Sequence, residues 1–353
     1  MEIDTIATEI KATDIEGLRI GQAKSEKGKT GVTVLLFDQP ATGGVDISGG
    51  GPASRETPLL SPLTANNPIH AVVLSGGSAY GLEAAAGVMR YLEEHGIGYD
   101  TRFAKVPLVC QSCIYDLGYG DPSIRPDAQM GYDACVDAEA AKEPKSGNEG
   151  AGCGATVGKL FGMECAEKSG LGIAALKVEE LKMAAVVVVN AFGDIFDSTT
   201  GKKIAGLKSP DRTKELDTCA EFLKIAKPTD FYKENTTIGA IVTNGRFAQD
   251  EANKIASMAR CAYARNINPV GTMADGDTIY AVSMGNVRAD INVAERLQRK
   301  SCPWPLSARY VMRQYRMRNI WQTVSVWKSK KYGKQVLTLL FLDSIMTKSV
   351  DEF

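Results

Sequence analysis

The segment Lys233–Asn244 has the sequence KENTTIGAIVTN, which joins a polar turn to a run of β-branched and small apolar residues. The apolar run, Ile238 to Val242, predicts a buried strand. Thr236 stands just before this run, where a fixed backbone would hold its β-branched side chain in one rotamer. The segment therefore presents a hydroxyl group at a defined place, the head of a core strand.

A cut between Asn235 and Thr236 would give this threonine a free α-amine beside its own hydroxyl. Nucleophile and base would then belong to a single residue, which is the N-terminal-nucleophile arrangement. Without a cut, the same residues describe an ordinary strand start with Asn235 in a turn. The segment alone leaves both interpretations open, so the rest of the chain has to decide between them.

Length and composition are those of a globular protein. The 353 residues could form one large domain or two medium ones, and a hydrophobic content of 44% suits a packed core. No apolar run near the start resembles a signal peptide, and no stretch of about 18 apolar residues could span a bilayer. The sequence therefore predicts a cytoplasmic protein that has neither a membrane nor a nucleic acid as its partner.

Histidine and cysteine usage excludes several kinds of site. The chain has only two histidines, His70 and His95, and neither lies in a pattern that suggests a Ser-His-Asp or Cys-His site. Cys110 and Cys113 form the only CxxC, but their flank predicts a buried strand, and no second Cys/His pair completes four zinc ligands. If the protein is a hydrolase, we expect it not to depend on histidine.

Two glycine-rich segments have the general shape of nucleotide loops but not their motifs. Residues 71–92 predict a strand, a glycine-rich turn and a helix, yet the glycines of residues 76–81 lack GxGxxG spacing. Residues 147–159 carry five glycines and end in Lys159, but a P-loop needs Ser or Thr where Leu160 stands. The second segment could still expose several backbone N–H groups to an anionic centre.

Polar residues mark the ends of two further strands. Met183–Asn190 is an apolar strand closed by an asparagine, whose amide could belong to a turn or point into a site. Asp275-Gly-Asp277 leads into another strand and could be a metal turn or a hairpin turn, although it lacks the spaced ligands of a calcium loop. The remaining predictions are helices over 212–226 and 249–265 and a long loop over 38–69.

Taken in order, these pieces resemble one family, the self-processing aminopeptidases and amidases of the DmpA type. The family includes L-aminopeptidase/D-esterases and β-aminopeptidases, and the likeness is strongest to its nylon-oligomer hydrolase branch. It covers about residues 15–293. The segments that carry it are GGSAYGLEA (76–84), GAGCGATVGK (150–159), VVVN (187–190), NTTI (235–238) and ADGDT (274–278).

The resemblance implies an α/β fold, a four-layer αββα sandwich of the DmpA/ornithine-acetyltransferase type. It also implies self-cleavage into a large subunit, 1–235, and a small subunit, 236–353, which together form one domain. Assembly into a homo-oligomer is expected, and the family favours a tetramer. No metal or organic cofactor is implied.

Residue by residue, the resemblance assigns the chemistry to the motifs quoted above. Thr236 matches the nucleophile that cleavage after Asn235 exposes. Asp275 and Asp277 match two acidic residues that orient it, and the α-amine of Thr236 would act as its base.

Three further positions complete the expected site. Lys159 matches a lysine near the nucleophile, where it can balance the acidic charge. Asn190 matches the side-chain amide at the oxyanion position. Tyr80 matches a tyrosine that faces the substrate.

The segment 294–353 departs from the family, which normally ends in an Ala-rich helix. It holds 12 Lys/Arg, 4 Asp/Glu and all three tryptophans, and Pro303 and Pro305 forbid a continuous helix. We hypothesise that residues after about 298 are out of frame, since one permitted set of codons, read one base earlier, spells a uniform amphipathic helix. Sequencing the gene decides between this and the alternative, a genuine basic tail over 299–353 that binds an acidic partner.

The sequence thus predicts a Thr-nucleophile amidohydrolase that cleaves N-terminal amino acid amides, short peptides or linear amide oligomers through an acyl-enzyme. One alternative is an acyltransferase, in which the same acyl group passes to an amine. Another is a catalytically silent binding or scaffold protein. Product formation with an added amine would identify the first, and ligand binding by an uncleaved chain would favour the second.

Overall fold

The structure, a computed structural model, describes residues 7–225 and 235–293. In chain order, its strands are β1 (Thr8–Ile10), β2 (Leu18–Ser25), β3 (Thr30–Ile47), β4 (Ala53–Arg55), β5 (Ile69–Ser75), β6 (Tyr99–Asp100), β7 (Lys105–Val106), β8 (Val109–Cys113), β9 (Thr156–Val157), β10 (Glu167–Lys168), β11 (Leu171–Val178), β12 (Leu181–Asn190), β13 (Asp194–Phe196), β14 (Lys203–Ala205), β15 (Thr236–Gly245), β16 (Ile267–Asn268) and β17 (Thr278–Val287). The α-helices are α1 (Ala84–Glu94), α2 (Ala128–Glu139), α3 (Thr218–Leu223) and α4 (Gln249–Asn266). Short 3-10 helices span Ala12–Asp14, Thr57–Leu60, Ser78–Glu83 and Gly150–Gly152.

Strand β3 is long enough to take part in two sheets. Its first half pairs with β2 and β5, and the first sheet continues from β5 through β8 to β4. Its second half pairs with β17, and the second sheet continues through β15, β12 and β11 to β1. In this second sheet the β15–β17 pair is parallel and the other pairs are antiparallel. The site is built where the ends of these central strands meet.

The main core lies between the two sheets. Leu35 and Val72 of the first sheet are fully buried in the same cluster as Ile238 of the second. Burial of each such side chain stabilises the fold by about 2 kcal/mol. The hydroxyls of Ser112 and Tyr280 lie 2.7 Å apart and join the sheets by a hydrogen bond. The two sheets therefore share one interior.

Helices cover the outer face of each sheet. Val88 and Ala134, from α1 and α2, pack against Val73 of the first sheet. Helix α4 lies on the second sheet, so close to β3 that a Cβ atom at Gly44 would stand 2.2 Å from the backbone nitrogen of Asn253. The order is helix, sheet, sheet, helix, and it confirms the predicted αββα sandwich.

Three sequence-based expectations need correction. The loop predicted over 38–69 is a strand as far as Ile47, because its second half pairs with β17 and its glycines allow close packing, Gly44 against α4 and Gly43 against Leu60. The helix predicted over 212–226 is only α3, since Asp217 caps it at Ala220 N and the preceding residues form turns. Asp275-Gly-Asp277 is no hairpin turn, because the strand before it, β16, pairs with β13, whereas the strand after it, β17, pairs with β15 and β3.

Other predictions hold or fall outside the described residues. Cys110 and Cys113 lie in the buried strand β8, as expected. Within the described part of the chain, no helix is long and apolar enough to cross a membrane. The atypical tail over 299–353 lies outside the described residues, and so do the residues just before Asn235.

Candidate active site

Three strand ends meet at the predicted nucleophile. In the antiparallel pair of β12 and β15, the last residue of one strand, Asn190, stands opposite the first residue of the other, Thr236. In the parallel pair, β17 begins beside the start of β15, so the Asp275-Gly-Asp277 turn arrives next to Thr236. Asn190 and Thr236 are both buried. Strand register therefore brings together residues that are far apart in the sequence.

The peptide bond before Thr236 has two hydrogen-bond donors on its carbonyl oxygen. The Thr236 hydroxyl donates to the carbonyl oxygen of Asn235. The backbone N–H of Gly276 donates to the same oxygen over 2.8 Å. A carbonyl held by two donors is polarised toward attack at its carbon, and the oxygen is already placed where an oxyanion would form.

The two aspartates fix the backbone around Thr236. Asp277 accepts from the backbone N–H of Thr237 over 2.6 Å and from that of Gly271 over 2.9 Å. Asp275 accepts from the hydroxyl of Thr272 over 2.6 Å and from the Phe192 N–H over 3.3 Å. The two carboxyl groups thus hold Thr237, one residue after Thr236, and also Gly271 and Thr272 in the loop before the turn.

The two carboxyl groups are buried, and this changes their acidity. Burial raises the pKa of Asp277 to about 7, with a further contribution from the neighbouring charge of Asp275. Burial also raises the pKa of Asp275, while hydrogen bonds from Thr272 and the positive charge of Lys159 oppose the rise. In the uncleaved chain, burial and mutual repulsion therefore oppose the ionisation of both carboxyl groups together.

Asn190 organises the opposite side of the site. Its Oδ1 accepts from Lys159 Nζ over 2.8 Å and from the Thr156 N–H over 3.0 Å. Its Nδ2 donates to the carbonyl of Tyr115 over 2.8 Å. The ammonium group needs an acceptor and the carbonyl needs a donor, so the network fixes which way the amide points. Lys159 is buried, and its hydrogen bond to Asn190 links it to the residue that stands opposite Thr236.

The glycine-rich segment does not form the anion cradle that its sequence allowed. Its backbone N–H groups bond within the fold: Ala151 donates to the Thr33 hydroxyl, Gly158 to Gly193 and Lys159 to Phe192. The glycines allow backbone segments to pack closely, since a Cβ atom at Gly158 would lie 2.1 Å from Leu207 N. The contribution of this segment to the site is Lys159 and the Thr156 N–H.

Tyr80 lies apart from the buried cluster. It sits on the 3-10 helix Ser78–Glu83, and 62% of its surface is exposed. The Ser78 N–H donates to Ile114, the residue before Tyr115, whose carbonyl holds Asn190. Tyr80 is therefore at the rim of the site, while Thr236, Asn190, Lys159 and the two aspartates form its interior.

Comparison with known proteins identifies the family of the chain. A sequence profile of peptidase family S58 matches residues 11–325. The chain belongs to peptidase family S58.

Relatives of this S58 peptidase share most of its length. An uncharacterized aminopeptidase of Mycobacterium leprae is 38% identical over 299 residues, which cover 78% of this chain and 79% of the relative. A 6-aminohexanoate-oligomer endohydrolase of a Kocuria species is 34% identical over 276 residues, covering 78% and 75%. The family resemblance seen in the sequence is thereby confirmed.

A solved structure shows the same fold. The L-aminopeptidase D-Ala-esterase/amidase of Ochrobactrum anthropi, described as a variant of the Ntn-hydrolase fold, superposes with a TM-score of 0.61 at 16% identity. The match covers 82% of this chain and 84% of that one. At this identity the likeness concerns the fold, and it agrees with the αββα order described above.

Several contributors to the S58 site escaped the sequence analysis. They contribute backbone groups: the Gly276 N–H donates to the carbonyl of Asn235, and the carbonyl of Tyr115 accepts from the side chain of Asn190. The Gly49-Gly-Gly51 loop is another case, because Gly51 N donates to Asp275 O and a Cβ atom at Gly49 would lie 2.3 Å from Asp277 N. Its run of glycines was the available signal, since glycine permits such close approach.

We expect Gly276→Ala to slow the predicted self-cleavage about tenfold or more, because the substitution disturbs a preorganised donor. The added Cβ atom would lie 2.9 Å from Thr236 Oγ1 and 2.7 Å from Gly51 O, so the turn has to move. Gly51→Ala is a matched control, since its Cβ atom would meet nothing closer than Asp275 O at 3.9 Å. Appearance of the two fragments on a denaturing gel over time measures the rate. Equal rates in the two variants would contradict this role of Gly276.

Proposed function

We propose that the chain cleaves itself between Asn235 and Thr236 and that Thr236 then hydrolyses amide bonds as an N-terminal nucleophile. The observation that carries the proposal is the contact of the Thr236 hydroxyl with the Asn235 carbonyl, whose oxygen also accepts from the Gly276 N–H. Membership of peptidase family S58 supports the reaction class, amide hydrolysis. Division into subunits 1–235 and 236–353 is part of this proposal.

Self-cleavage begins when Thr236 Oγ attacks the carbonyl carbon of Asn235. The oxyanion that forms keeps the hydrogen bond from the Gly276 N–H, which stabilises it. The C–N bond then breaks, the hydroxyl proton ends on the departing amine, and Asn235 is joined to Oγ by an ester. Water hydrolyses the ester, so that Asn235 leaves as a carboxylate and Thr236 keeps a free α-amine.

The new amine changes the electrostatics of the site. Before cleavage, the two buried carboxyl groups have raised pKa values, and the charge of Asp275 contributes to the rise at Asp277. After cleavage, the ammonium form of Thr236 supplies a positive charge close to them, which favours their ionised forms. The neutral amine has an ordinary pKa of about 7.7–8.0, so it can take the hydroxyl proton near neutral pH.

Hydrolysis of a substrate repeats the same chemistry with a new carbonyl. Thr236 Oγ attacks the substrate amide, the leaving amine takes the proton, and an acyl-enzyme remains until water releases it. Asn190 stands opposite Thr236 in the strand register, where its amide can stabilise the oxyanion. Lys159 holds that amide through Oδ1.

The proposed substrates are N-terminal amino acid amides, short peptides or linear amide oligomers. The last class is supported by the relatives named as 6-aminohexanoate-oligomer endohydrolases. Release of amine from 6-aminohexanoate oligomers and from amino acid amides tests the proposal, with Thr236→Val as the inactive reference. Assembly into a homo-oligomer and a cytoplasmic location stay predictions.

The uncleaved precursor is expected to lose stability as pH rises from about 4 to about 7. Asp277 has an ordinary pKa of 3.8, which applies to the unfolded chain, and about 7 in the fold. In this window the folded state therefore binds more protons than the unfolded state, so raising the pH favours unfolding. Urea unfolding of Thr236→Val at several pH values measures the effect, which should amount to a few kcal/mol.

Adding Asp277→Asn to Thr236→Val isolates this contribution. The free energy of unfolding of the double variant should depend less on pH, because an amide at this position does not titrate. Between about pH 4 and pH 7 it should therefore fall less than that of the single variant. Identical pH profiles for the two would show that Asp277 titrates normally in the fold.

A further inference from the structure

A cation stands at the rim of the proposed site, stacked on an exposed aromatic ring. The guanidinium carbon of Arg125 lies 4.0 Å from the centre of the Tyr80 ring. Tyr80 is mostly exposed and Arg125 is half-buried. A planar guanidinium group that covers a ring with one face keeps its edge N–H groups available for a planar anion.

Arg125 has no anionic partner among the described residues. None of the ion pairs within residues 7–225 and 235–293 includes it. The two nearest acids in the sequence are engaged elsewhere: Asp121 lies 3.8 Å from Lys27 and accepts from Ser123, and Asp127 caps α2 at Met130 N over 2.8 Å. The positive charge of Arg125 is therefore not neutralised by the acids beside it.

The loop that carries Arg125 is held against Gly77, the residue just before the 3-10 helix that carries Tyr80. Pro126 is buried, and its ring packs so close to Gly77 that a Cβ atom there would lie 2.7 Å from Pro126 Cδ. Gly77 is also held by Asp116, which accepts from its N–H over 2.7 Å. The stacked pair is thus built on a supported backbone, which lowers the entropic cost of binding a ligand.

A short series of contacts connects this pair to the nucleophile. Ser78, two residues before Tyr80, donates to Ile114 over 2.9 Å. Tyr115 follows directly and accepts from Asn190. Asn190 stands opposite Thr236. These contacts link the 3-10 helix that carries Tyr80 to Asn190 and so to the strand pair that carries Thr236.

We propose that Arg125, held by Tyr80, binds a carboxylate group of the substrate and so selects peptides or linear amide oligomers with a free carboxyl end. This inference rests on the proposed function and adds a substrate preference to it. A carboxylate can take two parallel N–H donors from the guanidinium edge, a geometry that a neutral amide end cannot use equally well. Arg125 would act on binding and leave the chemistry at Thr236 untouched.

The test compares two substrates that differ only at one end: a 6-aminohexanoate oligomer with a free carboxylate and the same oligomer as its terminal amide. The wild-type chain should cleave the oligomer with a free carboxylate with about tenfold higher kcat/KM than its terminal amide, because a charged hydrogen bond strengthens binding about tenfold or more. The difference should lie in KM. Arg125→Gln should remove this preference by raising KM for the acid and leaving kcat unchanged. Arg125→Lys should retain part of it.

Arg102→Gln is the matched control. Arg102 also lies over an aromatic ring, 5.6 Å from the centre of Phe103, but in the turn between β6 and β7. This control should keep the wild-type preference. Equal KM values for acid and amide in the wild type, or equal losses on both substrates in Arg125→Gln, would overturn the inference.

Failure of the proposed function would look different. In that case neither oligomer is cleaved and no fragments form. Calorimetric binding of the two oligomers to the wild type and to Arg125→Gln then still decides the inference. Tighter binding of the acid that is lost in Arg125→Gln would support it, and equal binding of acid and amide would contradict it.

Discussion

Thr236→Val is expected to abolish both self-cleavage and amide hydrolysis, whereas Thr236→Ser retains both. Valine has nearly the shape of threonine, so the buried start of β15 should stay packed, but it has no hydroxyl to attack the Asn235 carbonyl. Without cleavage there is also no α-amine to act as base. Loss of a nucleophile of this kind lowers kcat by about 10⁴-fold or more.

The pair of variants separates chemistry from folding. Both proteins should show the same secondary structure by circular dichroism, with Thr236→Val running as one chain of 353 residues. Thr243→Ser, at the far end of the same strand, should behave as wild type, since its hydroxyl bonds to Lys182 O away from the site. Residual turnover by Thr236→Val near the wild-type level would exclude Thr236 as nucleophile.

Asn190→Asp is expected to lower kcat/KM about 100–1,000-fold, the usual cost of losing one oxyanion donor, which is the role proposed for Asn190. The substitution keeps an acceptor for Lys159 Nζ and the Thr156 N–H, whereas the donor to Tyr115 O is replaced by a carboxylate oxygen. A negative charge opposite Thr236 also opposes the oxyanion that develops there. Steady-state kinetics with an amino acid amide or an amide oligomer measures the loss.

The chain offers an unusually close control for this substitution. Asn244, at the other end of β15, accepts from Lys182 N over 2.8 Å and donates to Glu180 O over 2.9 Å. Asn244→Asp therefore makes the same chemical change in a similar bridge, far from Thr236. If both variants lost activity to the same extent, the role of Asn190 would be structural, and its placement at the oxyanion would be wrong.

The sequence was sufficient for the fold where periodicity and motif agreed. The apolar runs ending at Asn190 and beginning after Thr236 are central strands, and the helix over 249–265 is α4 almost to the residue. The family resemblance then supplied the order of the layers, which no local pattern contains. The predicted αββα sandwich is confirmed for this reason.

The predictions that failed were those in which packing overrides local propensity. Gly43 and Gly44 are typical of loops, yet they continue a strand that pairs with β17, because Leu60 leaves no room for a side chain at Gly43 and α4 leaves none at Gly44. The amphipathic pattern over 212–226 yields only a short helix, since Asp217 forms a cap within it.

Within the site, the sequence could identify side chains but not backbone donors. Thr236, Asn190, Lys159 and the two aspartates carry recognisable chemistry, and the structure brings them together. The Gly276 N–H has no signature of its own. Its approach to Asn235 depends on the register between β15 and β17, which is a property of the folded sheet.

The most direct test of the central claim is the intact mass and N-terminal sequence of the purified wild-type protein. Self-cleavage predicts two chains of 235 and 118 residues, the second beginning with Thr236, and neither should appear from Thr236→Val. A single chain of 353 residues that nevertheless hydrolyses amides, or fragments that begin elsewhere, would contradict the claim that Thr236 is an N-terminal nucleophile.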